Sequence, residues 1–194
     1  MMTVLSGITM VSWWLFMLVW AVKYRGNKES VLVQPKRERR TYTIPLLLGI
    51  ILMSGFPAFL WRPLQVLNIP LLAHSVVTFG ASATVSVLGV ALSVWARFTL
   101  GRDWSAEVTL KRDHVLVTRG PYATIRHPIY TALILLFAGL VLIFGTIGAV
   151  AGFALIIWSF WVKLRQEEAL MLGQFPQSYP AYMARTKRLV PFLV

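Results

Sequence analysis

Two short polar segments of this 194-residue chain carry the residue types best suited to chemistry, and each borders a long apolar run. The first, RGPYATIRHPIY, extends from Arg119 to Tyr130. Its His127-Pro128 pair predicts the start of a helix, because proline fits the first helical turn, where its missing N–H would be unpaired anyway. His127 would then lie where unpaired N–H groups and the helix dipole favour a carboxylate or another anion. A histidine that only caps the helix is the alternative.

The second polar segment, KLRQEEAL, extends from Lys163 to Leu170. Its two carboxylates, Glu167 and Glu168, follow an apolar stretch almost directly, and carboxylates near a membrane boundary are costly unless they are solvated or paired. Lys163 precedes Glu167 by four residues, so both side chains would lie on one face of a helix. The pair either lines a site or forms a surface ion pair worth about 0.2–0.5 kcal/mol.

The composition predicts an integral membrane protein. Hydrophobic residues make up 57% of the chain and charged residues 13%, with a mean hydropathy of +0.68, which leaves too little polar surface for a soluble domain. Cysteine is absent, which excludes disulfides and cysteine-based metal sites or nucleophiles. The chain has no HExxH, Walker-type, GxGxxG or GxSxG motif, and we expect no bound metal.

The formal net charge of +12 would suit a nucleic-acid partner, but the distribution of the charge argues against one. The chain has no zinc-finger spacing, RNP-like motif or recognition-helix pattern. Met1–Val22 contains no lysine or arginine, so we expect the first apolar segment to remain as an anchor rather than to act as a cleaved leader. An excess of positive charge on the cytoplasmic side of a membrane explains the net charge better.

Long apolar runs predict an all-α, polytopic protein with about five transmembrane helices, since one span needs about 20 apolar residues. The last run is too long for one span. Gly145 near its middle predicts two short helices joined by a tight turn, a helical hairpin; one kinked span is the alternative. The four apolar runs are Thr3–Val22, Ile44–Trp61, Ile69–Phe98 and Ile129–Val162.

The loops between these runs alternate in charge. Of the 19 lysines and arginines, 18 fall on one side of a five-span arrangement and only Arg62 on the other. This split predicts a multi-pass protein of the cell membrane with its N-terminus outside and its C-terminus in the cytoplasm. We expect residues 1–98 to hold the first three spans with a basic cytoplasmic loop at 23–43. Residues 99–194 would form the catalytic region: a cytoplasmic loop, the hairpin 129–162, and a C-terminal helix and tail.

Three segments together resemble the isoprenylcysteine carboxyl methyltransferase family. They are HVLVTRGPYATIRHPIY at 114–130, EEALMLGQFPQSYPAY at 167–182 and LVPFL at 189–193. The resemblance covers residues 101–193, about half of the chain. It implies an integral membrane enzyme with a cytoplasmic cofactor-binding region. The enzyme would transfer a methyl group from S-adenosylmethionine to a lipophilic acceptor, releasing S-adenosylhomocysteine. A carboxylate acceptor, as in isoprenylcysteine methylation, fits this picture.

The resemblance also implies roles for individual residues. Glu167 corresponds to an acidic partner of the cofactor, and Lys163, Glu167 and Glu168 are the candidates for catalysis. The implied cofactor-binding residues are Glu107, His114, Val115, Leu116, Val117, Tyr122, His127, Pro128, Ile129, Tyr130 and Glu167.

One position departs from the family pattern. Lys163, with Arg165 nearby, stands where the isoprenylcysteine enzymes hold the substrate carboxylate with an arginine, so a point charge replaces a bidentate fork. Amine, phospholipid and other lipophilic acceptors therefore stay open. A carboxylate acceptor needs no general base, whereas an amine or hydroxyl would, and Glu168 is then the candidate.

Two other functions are alternatives to methyl transfer. A nicotinamide-dependent membrane reductase of the sterol-reductase type would use Arg126 and His127 to hold phosphates. A non-enzymatic membrane scaffold would bind no small molecule at all. Among partners we expect the lipid bilayer and a lipophilic or lipidated acceptor, and no nucleic acid.

Overall fold

The computed structural model describes residues 1–24, 29–55, 62–111 and 115–190. These residues are mostly helical with little strand, which confirms the predicted all-α class. The α-helices are α1 (Met2–Tyr24), α2 (Lys36–Met53), α3 (Val76–Leu100), α4 (Pro128–Phe144), α5 (Ile147–Gln174) and α6 (Ser178–Arg185). Three 3-10 helices lie at Arg62–Asn68, Gly101–Asp103 and Gly120–Ala123. Strand β1 (Ser30–Val33) pairs antiparallel with β2 (Thr109–Lys111).

The helices agree with a multi-pass membrane protein. By length and composition, three of the described segments could cross a membrane: Met2–Val22, Val76–Asp103 and Ile147–Gln174. Helix α4, Pro128–Phe144, is also apolar but shorter. Many large apolar side chains of α1 face outward, as expected for a surface in contact with lipid.

Helix α2 differs most from the sequence prediction. Its apolar run was expected at Ile44–Trp61, but the helix already begins at Lys36 and ends at Met53. Its first turns consist of lysine, arginine and glutamate, which are good helix formers, so the helix extends into charged sequence. The segment 23–43 is therefore not simply a loop, since it contains β1 and the start of α2. Residues 56–61 lie outside the described part of the chain.

Helix α3 begins later than its apolar run. Ser75 forms a capping box with Thr78, in which each side chain accepts from the other residue's backbone N–H, and this pair starts the helix at Val76 instead of at Ile69. At the other end, Gly101 adopts a φ of +61°, which favours glycine, and the helix stops at Leu100.

Helices α4 and α5 separate where the sequence predicted a break. Gly145 has a left-handed backbone with φ of +64°, and its N–H donates to the carbonyl of Val141. The Thr146 side chain then caps α5 by accepting from the N–H of Ala149 at 3.2 Å. Unlike the predicted pair of short helices, α5 continues without interruption to Gln174. The KLRQEEAL segment therefore lies in the C-terminal part of this long helix.

Close backbone contacts hold α5 in place. Gly49 of α2 and Gly152 of α5 approach so closely that a Cβ on Gly152 would lie 2.3 Å from the Gly49 carbonyl oxygen. The α5 residues Ile156 and Leu164 are fully buried nearby. Helices α3 and α4 meet in the same way at Gly89, where an added Cβ would lie 2.9 Å from the Ala132 oxygen. Small residues at membrane helix contacts permit such packing.

Candidate functional site

A cavity of about 330 Å³ lies where the ends of α3, α4 and α5 meet α6 and the loops around them. This volume falls within the range of small-molecule sites, about 300–1,000 Å³. Polar groups and apolar side chains both line it. The lining residues are Trp20, Leu46, Leu100, Asp103, Trp104, Ser105, Ala106, Glu107, Thr109, Val115, Leu116, Val117, Tyr122, Arg126, His127, Ile129, Tyr130, Leu133, Phe160, Lys163, Glu167, Leu170, Met171, Tyr179 and Tyr182.

Most of the sequence-predicted site residues border this cavity. Ten of them line it directly: Glu107, Val115, Leu116, Val117, Tyr122, His127, Ile129, Tyr130, Lys163 and Glu167. Pro128 is fully buried and does not line it, and neither does Glu168. His114 lies outside the described residues.

The predicted helix start at His127-Pro128 is confirmed, because α4 begins at Pro128. The His127 side chain makes no capping hydrogen bond, which argues against the alternative of a capping histidine. Its backbone N–H donates to the carbonyl of Arg188 at 3.0 Å, so this N–H is not free for an anion. The ligand-binding group that His127 offers the cavity is therefore its imidazole.

The imidazole of His127 lies between two carboxylates. Its Nδ1 is 3.7 Å from Glu167 Oε2, and its Nε2 is 3.4 Å from Glu168 Oε1. Both distances exceed those of good hydrogen bonds. The side chain is only 9% exposed, so the imidazole is almost fully enclosed by the protein.

Glu167 presents a carboxylate to the cavity wall. The hydroxyl of Tyr130 donates to its Oε1 at 2.5 Å. The side chain is 26% exposed, so part of the carboxylate stays accessible. A partly open carboxylate next to a tyrosine can accept further hydrogen bonds from a cationic ligand.

Lys163 lies one helical turn before Glu167 on α5. Its Nζ donates to the carbonyl of Ala106 at 2.7 Å and lies 5.3 Å and 5.6 Å from the ring centroids of Tyr42 and Tyr130. Within the described part of the chain, no ion pair joins it to Glu167, so the surface-pair alternative finds no support. The ammonium instead points into the cavity wall with donors left over.

Glu168 does not line the cavity, although it is next to Glu167 in sequence. Its Oε1 accepts from Arg126 Nε at 2.8 Å and its Oε2 from Arg188 Nε at 2.9 Å. The side chain is 5% exposed. Two guanidinium groups therefore neutralise this buried carboxylate, as a buried charge requires.

Two tyrosines of α6 that the sequence did not single out, Tyr179 and Tyr182, form part of the wall. The hydroxyl of Tyr182 donates to the carbonyl of Tyr122 at 2.7 Å, which ties α6 to the segment before α4. Burial raises the pKa of Tyr182 to about 12 and raises the pKa of both Tyr122 and Tyr179 well above the usual value. All three phenols thus stay neutral at physiological pH and can donate hydrogen bonds.

Glu107 and the apolar triplet after residue 114 close another part of the wall. Glu107 pairs with Arg39 of α2, and its own backbone N–H donates to Ser105 Oγ at 3.2 Å. Val115 is 61% exposed, whereas Leu116 and Val117 are partly buried. The cavity thus joins polar groups from four separate stretches of the chain.

The fold and the cavity define a class: a multi-pass helical membrane protein with a cavity of mixed polar and apolar lining at the ends of its helices. The sequence profile of the family described as "Isoprenylcysteine carboxyl methyltransferase (ICMT) family" matches residues 81–173. The predicted resemblance to this family is therefore confirmed over a little less than half of the chain. The matched region runs from within α3 to the end of α5 and includes every element that carries Tyr130, Lys163 and Glu167.

Individual relatives agree with the family match. A protein-S-isoprenylcysteine O-methyltransferase of Schizosaccharomyces pombe is 28% identical over 79% of this chain and 68% of its own length. Protein-S-isoprenylcysteine O-methyltransferase B of Arabidopsis thaliana is 32% identical over 57% of each chain. Cobalt-zinc-cadmium resistance protein CzcN of Cupriavidus metallidurans is 31% identical over 57% of this chain and 49% of its own length. The chain thus spans 49% to 68% of these relatives' lengths.

Proposed function

We propose that this protein is an S-adenosylmethionine-dependent membrane methyltransferase that methylates a carboxylate on a lipophilic acceptor. One observation carries the proposal: Lys163 and Glu167, a cation and an anion one helical turn apart on α5, line the same cavity. An amino-acid cofactor needs an anionic partner for its ammonium group, and a carboxylate acceptor needs a cation. The names of the isoprenylcysteine relatives support the same reaction.

The cavity residues fit S-adenosylmethionine, which supplies an electrophilic methyl group on a sulfonium cation. Glu167 would hold the ammonium group, and His127 and Tyr130 would help to orient the methionine end. Three tyrosines that line the cavity, Tyr122, Tyr179 and Tyr182, offer an aromatic wall suited to a purine ring. The other cofactor-binding candidates are Glu107, Val115, Leu116, Val117 and Ile129, all of which line the cavity.

The acceptor would bind at the other end of the cavity. Lys163 would hold its carboxylate, and apolar side chains from the membrane helices would contact its hydrocarbon part. Those side chains are Trp20, Leu46, Leu133 and Phe160. When a carboxylate attacks a sulfonium, the two charges cancel, so a water-poor cavity favours the transition state provided both groups are held in line.

The surroundings of Glu168 favour an acceptor that needs no general base. Both of its oxygens accept from arginines, and pairing with cations stabilises the ionised form of a carboxylate. Glu168 is therefore a poor proton acceptor. An amine or hydroxyl acceptor could not use it as a base, whereas a carboxylate reacts in its ionised form and needs none.

We also propose a five-span arrangement in which α4 and α5 form a membrane hairpin, with the N-terminus outside and the cavity on the cytoplasmic side. The 18-to-1 division of lysine and arginine supports it, as does the two-residue break between α4 and α5. In this arrangement residues 1–98 form the scaffold and residues 99–194 the catalytic region.

Cofactor binding to the full chain in detergent tests the proposal. Calorimetric titration should detect S-adenosylhomocysteine binding and no NADPH binding. Methyl transfer should then occur to an S-prenylated N-acetylcysteine and not to the matched amide, which lacks the carboxylate. NADPH binding without S-adenosylhomocysteine binding would instead favour the reductase alternative, and binding of neither would favour a scaffold.

A further inference from the structure

The segment after α6, Thr186–Leu189, is joined to the start of α4 by main-chain hydrogen bonds; we call it the tail. The N–H groups of Arg126 and His127 donate to the carbonyls of Lys187 at 2.7 Å and Arg188 at 3.0 Å. The N–H of Lys187 donates back to the Thr124 carbonyl at 3.1 Å. The tail therefore fixes the backbone on which His127 stands.

Side chains strengthen this connection. Glu168 of α5 accepts from Arg126 with one oxygen and from Arg188 of the tail with the other, at 2.8 and 2.9 Å. The guanidinium of Arg126 also donates to the carbonyls of Thr186 and Met183, at 2.5 and 3.3 Å. One buried carboxylate thus connects α5, the segment before α4 and the tail.

We propose that Arg126, Glu168 and Arg188 form a clamp that positions the cofactor-binding residues, and that Glu168 is a positioning residue and not a general base. The clamp sets Glu168 Oε1 at 3.4 Å from His127 Nε2. It also holds the tail that follows α6, and α6 carries Tyr182 into the cavity wall. The proposal rests on the proposed function, because its main measurement is cofactor affinity.

The clamp couples the cavity to a segment that does not line it. Such coupling is reciprocal: if the clamp improves cofactor binding, a bound cofactor must stabilise the clamp by the same free energy. Binding should therefore slow amide hydrogen exchange in the tail and in the segment before α4, although the tail residues Thr186–Leu189 do not line the cavity.

The test uses Arg188, whose side chain is 31% exposed, so that its replacement should leave the protein folded. Arg188→Met removes one donor of the clamp, and we expect S-adenosylhomocysteine affinity to fall about tenfold, the lower end of the loss seen when a partner that orients a metal-ligating side chain is removed. Arg188→Lys keeps the positive charge and should bind with intermediate affinity. Lys187→Met is the matched control, because it removes the same charge from the next residue, whose side chain is exposed.

Two further measurements separate positioning from mere stability. Glu168→Gln should weaken binding as Arg188→Met does, and the double variant should be little worse than either single one, since both changes break the same unit. Bound S-adenosylhomocysteine should protect tail amides from exchange in the wild type, and less so in Arg188→Met.

The outcomes distinguish this proposal from the proposed function. Wild-type affinity in Arg188→Met, or an equal loss in Lys187→Met, would overturn the clamp while leaving the methyltransferase intact. A third outcome is that Arg188→Met melts at a lower temperature than the wild type but still binds with wild-type affinity at temperatures well below its melting point. That result would show a structural role only, and would also overturn the clamp. A wild-type protein that binds no S-adenosylhomocysteine would overturn the proposed function and the clamp with it.

Discussion

Glu167 and Glu168 are adjacent carboxylates with opposite surroundings. Consecutive helix positions point about 100° apart, so one side chain reaches the cavity and the other reaches two arginines. Glu167 is 26% exposed and Glu168 is 5% exposed. Residue type alone does not assign a catalytic role here, because the partners of each oxygen decide what the carboxylate can do.

His127 gives the simplest test at the scale of one residue. If its imidazole contacts the charged methionine end of the cofactor, His127→Ala should weaken S-adenosylhomocysteine binding by about 10- to 150-fold, corresponding to about 1.5–3 kcal/mol for a hydrogen bond to a charged group. Calorimetry in detergent measures the loss, and the melting temperature reports whether the variant is folded. Unchanged affinity in a folded variant would remove His127 from the site.

Replacing Lys163 and replacing Glu167 should impair different properties, acceptor turnover and cofactor binding respectively. Glu167→Gln keeps the shape of the side chain but removes its charge, and should therefore weaken cofactor binding. Lys163→Met keeps much of the side-chain stem but removes the charge. It should leave cofactor affinity within about twofold of the wild type and lower the turnover of a carboxylate acceptor. Lys163→Arg should retain that turnover, because guanidinium also pairs with carboxylates. If all three variants instead lose the same small amount of cofactor-binding free energy, at most about 0.5 kcal/mol, the two residues form only a surface pair.

At the scale of elements, the glycine contact between α2 and α5 should be intolerant of change. A Cβ at Gly152 would lie 2.3 Å from the Gly49 oxygen and 2.8 Å from the Met53 nitrogen. Gly152→Ala should therefore force the helices apart and destabilise the protein by about 1–3 kcal/mol. The melting temperature checks this.

Gly80→Ala provides the matched control. Gly80 lies within α3, and an added Cβ would meet nothing within 4 Å. Alanine is the better helix former by about 1 kcal/mol, so this variant should melt no lower than the wild type. Similar melting temperatures for the two variants would contradict the close packing of α2 on α5.

Local signals predicted the elements that begin or end at a distinctive residue. Pro128 marked the start of α4, and Gly145, with its positive φ, marked the end. Pro180 would suggest a break in the chain, yet it lies in the first turn of α6, where proline is tolerated. The pairing of β1 with β2 and of Arg126 with Glu168 was out of reach, since neither is local in sequence.

At the scale of the whole molecule, the charge division predicts an orientation that can be measured. A reporter fused after residue 194 should be cytoplasmic, and one inserted near Leu67 should be external. Leu67 itself is partly buried, but Gln65 and Val66 of the same 3-10 helix are exposed, so an insertion between those two should be tolerated. Both reporters on one side of the membrane would exclude the five-span arrangement.

The glycine contacts also restrict the direction from which a lipid can arrive. Gly49 and Gly152 bring α2 and α5 too close together for a hydrocarbon chain to pass between them, and Gly89 does the same for α3 and α4. Trp20 of α1 and Leu46 of α2 both border the cavity. We therefore expect the acceptor's hydrocarbon chain to enter the cavity from the bilayer between α1 and α2. The two closest helix pairs would determine this route because they block the other openings that they border.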